Sequence, residues 1–252
     1  MLSRLPNFMK YGILGDIHAN LSALEGALAL FDQAGVDMVV SVGDVVGYGA
    51  APRECIHLLR QRDARVVLGN HDAAVVGLID SAAFNPAAAF AARWTKDQLN
   101  DAEAHYLRQL PLVLHLDHAS VAHATYAHPQ HFDYMLDATH ADESLRHMPQ
   151  TVCFIGHTHR PMLLGRLRDD PTRTFWTTDT HAHIDEWHRV LINVGSVGQP
   201  RDDDPRAAAA IYDTTREEVV LHRFAYDLER EQHRILRAGL PPILAERLAL
   251  GF

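Results

Sequence analysis

The chain has 252 residues, of which 47% are hydrophobic, and its formal net charge is −9. This suits one domain with a sizeable core, and the acidic balance argues against a general nucleic-acid-binding surface. No stretch is long and apolar enough to span a membrane, and residues 1–10 do not resemble a signal peptide. Cys55 and Cys153 lie in apolar contexts without a C-x-x-C partner, which favours buried thiols over a disulfide. We therefore expect the protein to be located in a reducing cytoplasm.

The first predicted elements are a strand and a helix. Residues 10–14 form a short apolar run, apolar residues recur at helical spacing from Leu21 to Phe31, and Gly35 stands where the helix would end. Asp16 and His18 therefore fall between the carboxyl end of a strand and a helix, where ligands bind in open α/β sheets. A carboxylate and an imidazole this close in sequence can both reach one divalent cation. A helix cap beside an unrelated histidine is the alternative.

Two further predicted strands end in a similar way. Residues 37–42 lead into a Gly-Asp pair that contains Asp44, and residues 65–68 lead into the Gly-Asn-His-Asp stretch of residues 69–72. In both, an apolar run stops at a glycine and residues of metal-binding types follow at once. Between the two strands, Pro52 begins a predicted helix that continues to about Arg62.

The middle of the chain is predicted to contain helices and one hairpin. Residues 85–109 are rich in alanine with amphipathic spacing, which predicts one or two helices that partly cover the site. Residues 112–116 and 119–122 predict a hairpin that turns at residues 117–118. A short helix is predicted over residues 142–147.

The predicted strand over residues 151–155 supplies a fourth example of the same design. It stops at Gly156, and His157 and His159 follow in a Gly-His-x-His pattern. Four repeats of one design in a single chain indicate that these residues share one site.

The remaining chain is predicted to form strands over residues 189–194, 207–213 and 218–224, with an irregular hairpin excursion over residues 166–188. Residues 227–252 predict a helical C-terminal extension of a single domain that spans residues 1–252. We expect its two helices to dock on the core or on a second subunit, and the latter arrangement would make the protein a homo-oligomer.

Two other stretches copy parts of the site chemistry. His181 and His183 repeat the H-x-H spacing but lack the preceding strand and glycine, so we interpret them as a solvated loop or a crystal-lattice metal site. The aspartates of residues 202–204 are interpreted as a solvated turn, as charge runs usually are.

Taken in order, the motifs D-x-H, G-D, G-N-H-D and G-H-x-H resemble the signature of the calcineurin-like metallophosphoesterases. Residues 192–201 are similar to the N-P-G-S-V-G-x-P-R segment of the small bacterial and archaeal phosphodiesterase-like branch, with Val194 in place of a proline. The resemblance covers roughly residues 11–213. It implies an α/β fold, a four-layer sandwich of two mixed β-sheets flanked by helices, of which the sequence pattern itself supports the layered α/β class.

The resemblance implies two divalent transition-metal ions, and mixed ligation without thiolate suits Mn, Fe, Zn or Ni. Asp44 would bridge both ions. The implied terminal ligands are Asp16, His18 and His159 for the first ion and Asn70, His123 and His157 for the second. His123 follows a predicted strand, whereas His128 and His131 compete for the same role from a loop.

The resemblance also implies hydrolysis of phosphomonoesters or phosphodiesters by in-line attack of a metal-bridging hydroxide. His71 would contact the phosphate and protonate the leaving group of a small phosphoester substrate. Asp72 would orient the His71 imidazole, with a helix cap as the alternative role. Specificity is expected from the loop after Asp44 and from residues 85–109 and 126–134.

Other functions are compatible with parts of this pattern. A protein Ser/Thr phosphatase and a dinucleoside polyphosphate hydrolase belong to the same superfamily. A catalytically silent binding scaffold would keep the fold, but it predicts a broken ligand set and none of the expected ligands is missing. A histidine-rich metal store is disfavoured because the histidines are not grouped in tracts.

Overall fold

Twelve strands form two six-stranded sheets in the part of the chain that the computed structural model describes, residues 8–252. Residues 1–7 lie outside the described part of the chain. They make up most of residues 1–10, the segment that was predicted not to be a signal peptide. In chain order the strands are β1 (Lys10–Leu14), β2 (Met38–Ser41), β3 (Arg65–Val66), β4 (Val113–His115), β5 (Ala119–Ala122), β6 (Val152–Ile155), β7 (Met162–Leu167), β8 (Phe175–Thr177), β9 (His181–His183), β10 (Trp187–Asn193), β11 (Ala207–Asp213) and β12 (Glu218–Phe224).

Both sheets are mixed. The first has the strand order β3-β2-β1-β11-β12-β9, and the second has the order β4-β5-β6-β10-β7-β8. Strands β1, β2 and β3 run parallel to one another in the first sheet, as do β5, β6 and β10 in the second. The carboxyl ends of parallel strands lie at one edge of a sheet, so each sheet has an edge at which several strand-end loops meet.

Eight helices cover the described part of the chain. They are α1 (Leu21–Ala34), α2 (Pro52–Gln61), α3 (Asn70–Val75), α4 (Pro86–Gln98), α5 (Asp101–Arg108), α6 (Ala138–His147), α7 (Leu228–Arg237) and α8 (Ile243–Leu250). One or two helices were predicted within residues 85–109, and two are observed. Helix α6 is longer than predicted because Asp137 caps its amino end.

The core lies in three apolar layers. Alternate residues of the two sheets, such as Ile13, Phe154 and Ile192, pack face to face and bury their side chains between the sheets. The outer face of the first sheet packs on α1 and α2, and the outer face of the second packs on α6. Helix, sheet, sheet and helix form four layers, which confirms the predicted α/β sandwich.

Residues 181–183 are not a solvated loop, and that interpretation was wrong. They form the edge strand β9, in which His183 pairs with Glu218 and His181 pairs with Val220 of β12. Ala182 is buried and the two histidines are exposed, which is the alternation of a strand with one covered face. The hairpin predicted within residues 166–188 is observed as the antiparallel pair of β7 and β8, which is regular where an irregular hairpin was predicted.

The two C-terminal helices pack on their own chain. Ile235 of α7 and Leu244 of α8 are buried in a cluster that includes Tyr48 and Ala91. Glu231 of α7 accepts hydrogen bonds from the backbone amide and the hydroxyl of Ser22 at the start of α1. The sequence left two alternatives for these helices, docking on the core or on a second subunit. The structure shows docking on the core.

Within residues 8–252, no helix combines the length and the apolar character needed to cross a lipid bilayer.

Candidate metal centre

The seven predicted metal ligands follow the carboxyl ends of five strands, where the edges of the two sheets meet. Asp16 and His18 follow β1, Asp44 follows β2 and Asn70 follows β3. The ligands from the second sheet follow β5 and β6; they are His123, His157 and His159. All seven side chains are buried and lie in one continuous group.

The first part of the group holds Asp16, His18 and His159. The two imidazole Nε2 atoms lie 3.1 Å apart, and Asp16 Oδ1 lies 3.5 Å from His159 Nε2. One ligand atom from each residue lies within 4.8 Å of the others. These are the three terminal ligands predicted for the first ion.

The second part holds Asn70, His123 and His157. His123 Nε2 lies 3.1 Å from Asn70 Oδ1 and 3.2 Å from His157 Nδ1. Of the competing histidines, His128 faces Glu143 at the surface and His131 stacks on His128, so neither lies in this part.

Asp44 lies between the two parts. Its Oδ2 atom is 3.6 Å from His18 Nε2 in the first and 3.4 Å from His123 Nε2 in the second. Its other oxygen, Oδ1, accepts a hydrogen bond of 2.8 Å from the backbone amide of His71. One carboxylate oxygen is thereby fixed, and the other is directed at both histidines, as a bridging ligand requires.

The hydrogen bonds of the histidines show that this donor set suits cations. Nδ1 of His18 and Nδ1 of His159 each face a backbone carbonyl oxygen, of Val46 at 3.1 Å and of Gln199 at 2.6 Å. An imidazole that donates from Nδ1 carries a lone pair on Nε2 when neutral. The two Nε2 lone pairs then face each other at 3.1 Å, which is repulsive unless a cation lies between them.

His123 is arranged in the same way. Its Nδ1 faces the carbonyl oxygen of Val42 at 2.8 Å, so its Nε2 is the atom directed at Asn70 and Asp44. Burial lowers the pKa of His123, but the carboxylates of Asp44 and Asp16 outweigh burial and raise that pKa to about 9. A positive charge at this position is therefore favoured, whether a proton or a metal ion supplies it.

The remaining imidazoles are held neutral, which is the form that binds metals. Burial lowers the pKa of His157 to about 3 and lowers the pKa values of His18 and His159 well below the usual value. Burial raises the pKa of Asp16 to about 7. Burial also raises that of Asp44, but the facing imidazoles, chiefly His123, outweigh it and keep the pKa well below the usual value.

Backbone strain is concentrated at these ligands. Asp16, His18, Asp44, His157 and His159 all have positive φ values, between 47° and 68°. Non-glycine residues in sparsely populated backbone regions cost about 1–3 kcal/mol each and cluster at functional sites. The surrounding structure thus holds several ligands in conformations that isolated residues avoid.

Two of the motif glycines are required by close approach to a ligand carboxylate. A Cβ atom at position 69 would lie 2.1 Å from Asp44 Oδ1, and one at position 156 would lie 2.4 Å from Asp16 Oδ2. Both distances are shorter than any real Cβ contact. Gly69 and Gly156 therefore let their loops approach the carboxylates of Asp44 and Asp16.

His71 and Asp72 occupy different environments. The His71 ring lies between the rings of Tyr48 and Phe84, with centroid distances of 4.4 and 4.6 Å, and burial lowers its pKa to about 4. Its Nδ1 atom is buried without a hydrogen-bond partner among residues 8–252. The carboxylate of Asp72 accepts from the amides of Val46 and Gly69, as a helix cap does. The capping alternative is observed, and an orienting role for Asp72 stays a prediction.

A cavity of about 310 Å³ lies in front of the ligand group. Its aromatic walls are Tyr48, Phe84, Phe132 and Tyr134, and the Tyr134 ring stacks on that of His157 at 4.1 Å. The sequence motifs did not identify these residues. Tyr48 lies in the loop after Asp44 and Phe132 and Tyr134 lie in residues 126–134, and both segments were expected to influence specificity. Phe84 lies just outside the expected residues 85–109.

Comparisons with known proteins agree with this arrangement. Residues 9–217 match the calcineurin-like phosphoesterase superfamily domain. An uncharacterized protein of Methanocaldococcus jannaschii is 32% identical over 243 residues, which cover 95% of this chain and 97% of that protein. The crystal structure of a metallophosphoesterase from Sphaerobacter thermophilus is 37% identical, with a TM-score of 0.84, and the match covers 98% of this chain and 100% of that one.

A more distant structure shows the same fold. The crystal structure of a hypothetical protein from Pyrococcus horikoshii is 18% identical, with a TM-score of 0.79, over 96% of this chain and 98% of that one. A two-sheet sandwich with histidine and aspartate clusters at its strand ends defines a class of metal-binding α/β proteins. Within that class, the chain belongs to the calcineurin-like phosphoesterase superfamily, which confirms the resemblance found in the sequence.

Proposed function

We propose that this protein is a dinuclear metal-dependent phosphoesterase that hydrolyses small phosphomonoesters or phosphodiesters by in-line displacement at phosphorus. The position of Asp44 carries the proposal. Its Oδ2 atom lies within 3.6 Å of one ligand histidine in each part of the group, so one carboxylate can serve two ions. The terminal ligands proposed for the two ions are those assigned to them in the sequence.

The donor set suits Mn, Fe, Zn or Ni, because it combines carboxylate, imidazole and amide ligands without a thiolate. When bound, two such ions supply Lewis acidity that neutralises charge on a phosphoryl group and provides nucleophilic water at neutral pH. The chain's own contribution is to hold the ligands. Val42, Val46 and Gln199 fix three imidazoles through their carbonyl oxygens, so each ring offers Nε2 to the centre.

His71 is proposed to act on the leaving group. Its ring faces the cavity between Tyr48 and Phe84, and it is a neighbour of the ligand group without belonging to the terminal ligands. A neutral imidazole can donate one N–H to a phosphoryl or leaving-group oxygen. A bound phosphate anion would also raise the low pKa of His71 and so increase the protonated fraction of the imidazole, which is the form that can give a proton to the departing alkoxide.

The dimensions of the cavity favour a small substrate. About 310 Å³ falls at the lower end of the range for small-molecule pockets, which runs from about 300 to 1,000 Å³. Aromatic walls next to the ligand group can accommodate the organic part of a phosphoester. We propose that such a small phosphoester, and neither a lipid nor a nucleic acid polymer, is the partner of this site.

A substrate panel tests the proposal. Metal-stripped protein is assayed before and after reloading with Mn²⁺ against an aryl phosphomonoester, an aryl phosphodiester, nucleotides, a dinucleoside polyphosphate and a phosphopeptide. We expect hydrolysis that needs the metal and is fastest on a small ester, with His188→Ala at an exposed strand position as a control of unchanged rate. Protein that takes up no metal on reloading and hydrolyses none of the compounds would favour the silent scaffold instead.

We also propose a cytoplasmic location. Cys55 and Cys153 are both buried free thiols, and burial raises the pKa values of both above the usual value for a thiol. Unpaired buried thiols are usual in reducing compartments.

A further inference from the structure

The edge strand β9 carries a second group of metal-binding side chains that the phosphoesterase site does not use. His181 and His183 are two positions apart, so both lie on the exposed face of β9 while Ala182 faces the core. Glu218 of β12 pairs directly with His183 and therefore shares that face. The three side chains meet on the surface of the first sheet.

The side chains are close enough to share one ion. One ligand atom from each of the three residues lies within 4.8 Å of the others. The two imidazole rings have centroids 4.6 Å apart, and His181 Nε2 contacts Glu218 Oε1. Arg216 lies 4.0 Å from the other oxygen, Oε2, and so leaves Oε1 directed at His181.

This group is separate from the candidate metal centre. Glu218 pairs with Asp213, and Asp213 pairs with Lys10 at the beginning of β1. Asp16 and His18 follow the other end of that strand. The group on β9 and the candidate centre therefore lie at opposite ends of the first sheet, and neither can supply ligands to the other.

We propose that His181, His183 and Glu218 form a surface site for one late first-row divalent ion. Two imidazoles and one carboxylate are the ligands of many zinc sites, in which water completes the tetrahedron. Imidazole ligation selects Zn²⁺, Ni²⁺ or Cu²⁺ over Mg²⁺ and Ca²⁺, which prefer oxygen ligands. A bound ion would join β9 to β12 through their side chains and would hold this edge strand in place.

An ion pair between His181 and Glu218 on an exposed strand is the simpler interpretation, and it does not require His183. The ion pair involves two of the three residues, whereas the metal site needs all three. The two interpretations therefore differ in their prediction for His183, which makes no ion pair with Glu218 in the described structure.

Zn²⁺ binding to the full-length protein tests the proposal. Wild-type protein and the His183→Ala and His181→Ala/His183→Ala variants are dialysed against buffered free Zn²⁺, and bound zinc is measured by elemental analysis. Any zinc bound at the candidate centre should be equal in all three proteins, because the substitutions leave its ligands unchanged. We expect wild type to bind one more Zn²⁺ per chain than the double variant.

The His183→Ala variant measures how much His183 contributes to zinc affinity. His183→Ala should weaken zinc binding at the additional site by at least about tenfold. Mutation of residues that only hydrogen-bond to a metal ligand already lowers metal affinity by about 10–100-fold. His188→Ala, also at an exposed strand position, should leave the zinc content unchanged, and thermal unfolding at low Zn²⁺ checks that all variants fold. Identical zinc content in wild type and the double variant across the dialysis series would overturn the site, whether or not the protein proves to be a phosphoesterase.

Discussion

Asp44 is the residue at which the two ligand clusters meet, so its charge affects both proposed ions. Asp44→Asn keeps the size of the side chain and removes the negative charge that offsets two cations. We expect lower metal content and a fall in turnover on the order of 10²-fold or more. His18→Ala removes one terminal ligand and should cost less of both, as measured by elemental analysis and by kcat on an aryl phosphodiester. Full metal content with full turnover in Asp44→Asn would refute the bridging role.

His71 provides a second prediction, because it faces the cavity but is not among the terminal ligands. His71→Ala should keep both metal ions and lose turnover, by about 10²–10⁴-fold for an alkyl ester if the imidazole donates a proton. An aryl phosphate leaves as a weak base and should lose less. The measurement is the ratio of wild-type to variant kcat for an aryl and an alkyl phosphodiester, with metal content determined in parallel.

The outcomes for His71→Ala separate three roles. A ratio that depends on the leaving group supports proton donation. The same small loss for both esters would leave His71 only a packing role between Tyr48 and Phe84. A loss of bound metal would instead place His71 among the ligands.

Helix α7 connects the C-terminal extension to the loop that carries His18. Glu231 is buried, and its Oε1 atom accepts from the amide and hydroxyl of Ser22 and from Arg234. Glu231→Ala leaves these donors without a partner, so the free energy of unfolding should fall by about 1–3 kcal/mol. Glu229→Ala in the same helical turn is exposed and should change it by less than about 0.5 kcal/mol. Urea denaturation measures both, and equal values would contradict the proposed tie between α7 and α1.

Strand ends were the elements that the sequence predicted best. An apolar run that stops at a glycine is a local signal, and β1, β2 and β6 each end within one residue of the predicted position. Two of the four motif glycines, Gly69 after β3 and Gly156 after β6, also prove to be sites of close approach, since they lie against Asp44 and Asp16. Local sequence could therefore place the candidate ligands at strand ends, although the assignment of ligands to two ions came from the family resemblance.

Elements that depend on distant partners were predicted less well. Strand β9 has three residues, which is too short for alternation to predict a strand. It is a strand because it pairs with β12. The cap formed by Asp72 depends on the amide of Val46 as well as on Gly69, and the aromatic walls come from three separate loops. None of these contacts lies within a window that periodicity can detect.

The arrangement of the whole molecule could not be predicted from local sequence patterns either. Alternating strands and helices indicated a layered α/β protein, but the pairing of β1 with β11 and of β6 with β10 joins segments far apart in sequence. The two-sheet sandwich was expected from the resemblance and is confirmed. Packing of the C-terminal helices on their own chain follows from contacts such as Glu231 with Ser22, which composition does not reveal.

Anomalous diffraction from crystals grown with Mn²⁺ can show whether two metal ions share Asp44. Mn²⁺ binds histidine-rich surface sites more weakly than zinc does, so the signal reports mainly on the centre. We predict two peaks about 3.5–4 Å apart on either side of Asp44, one beside His18 and one beside His123. A single peak, or none, between Asp16 and Asn70 in crystals with Mn²⁺ in excess would contradict a bridging role of Asp44 between two ions.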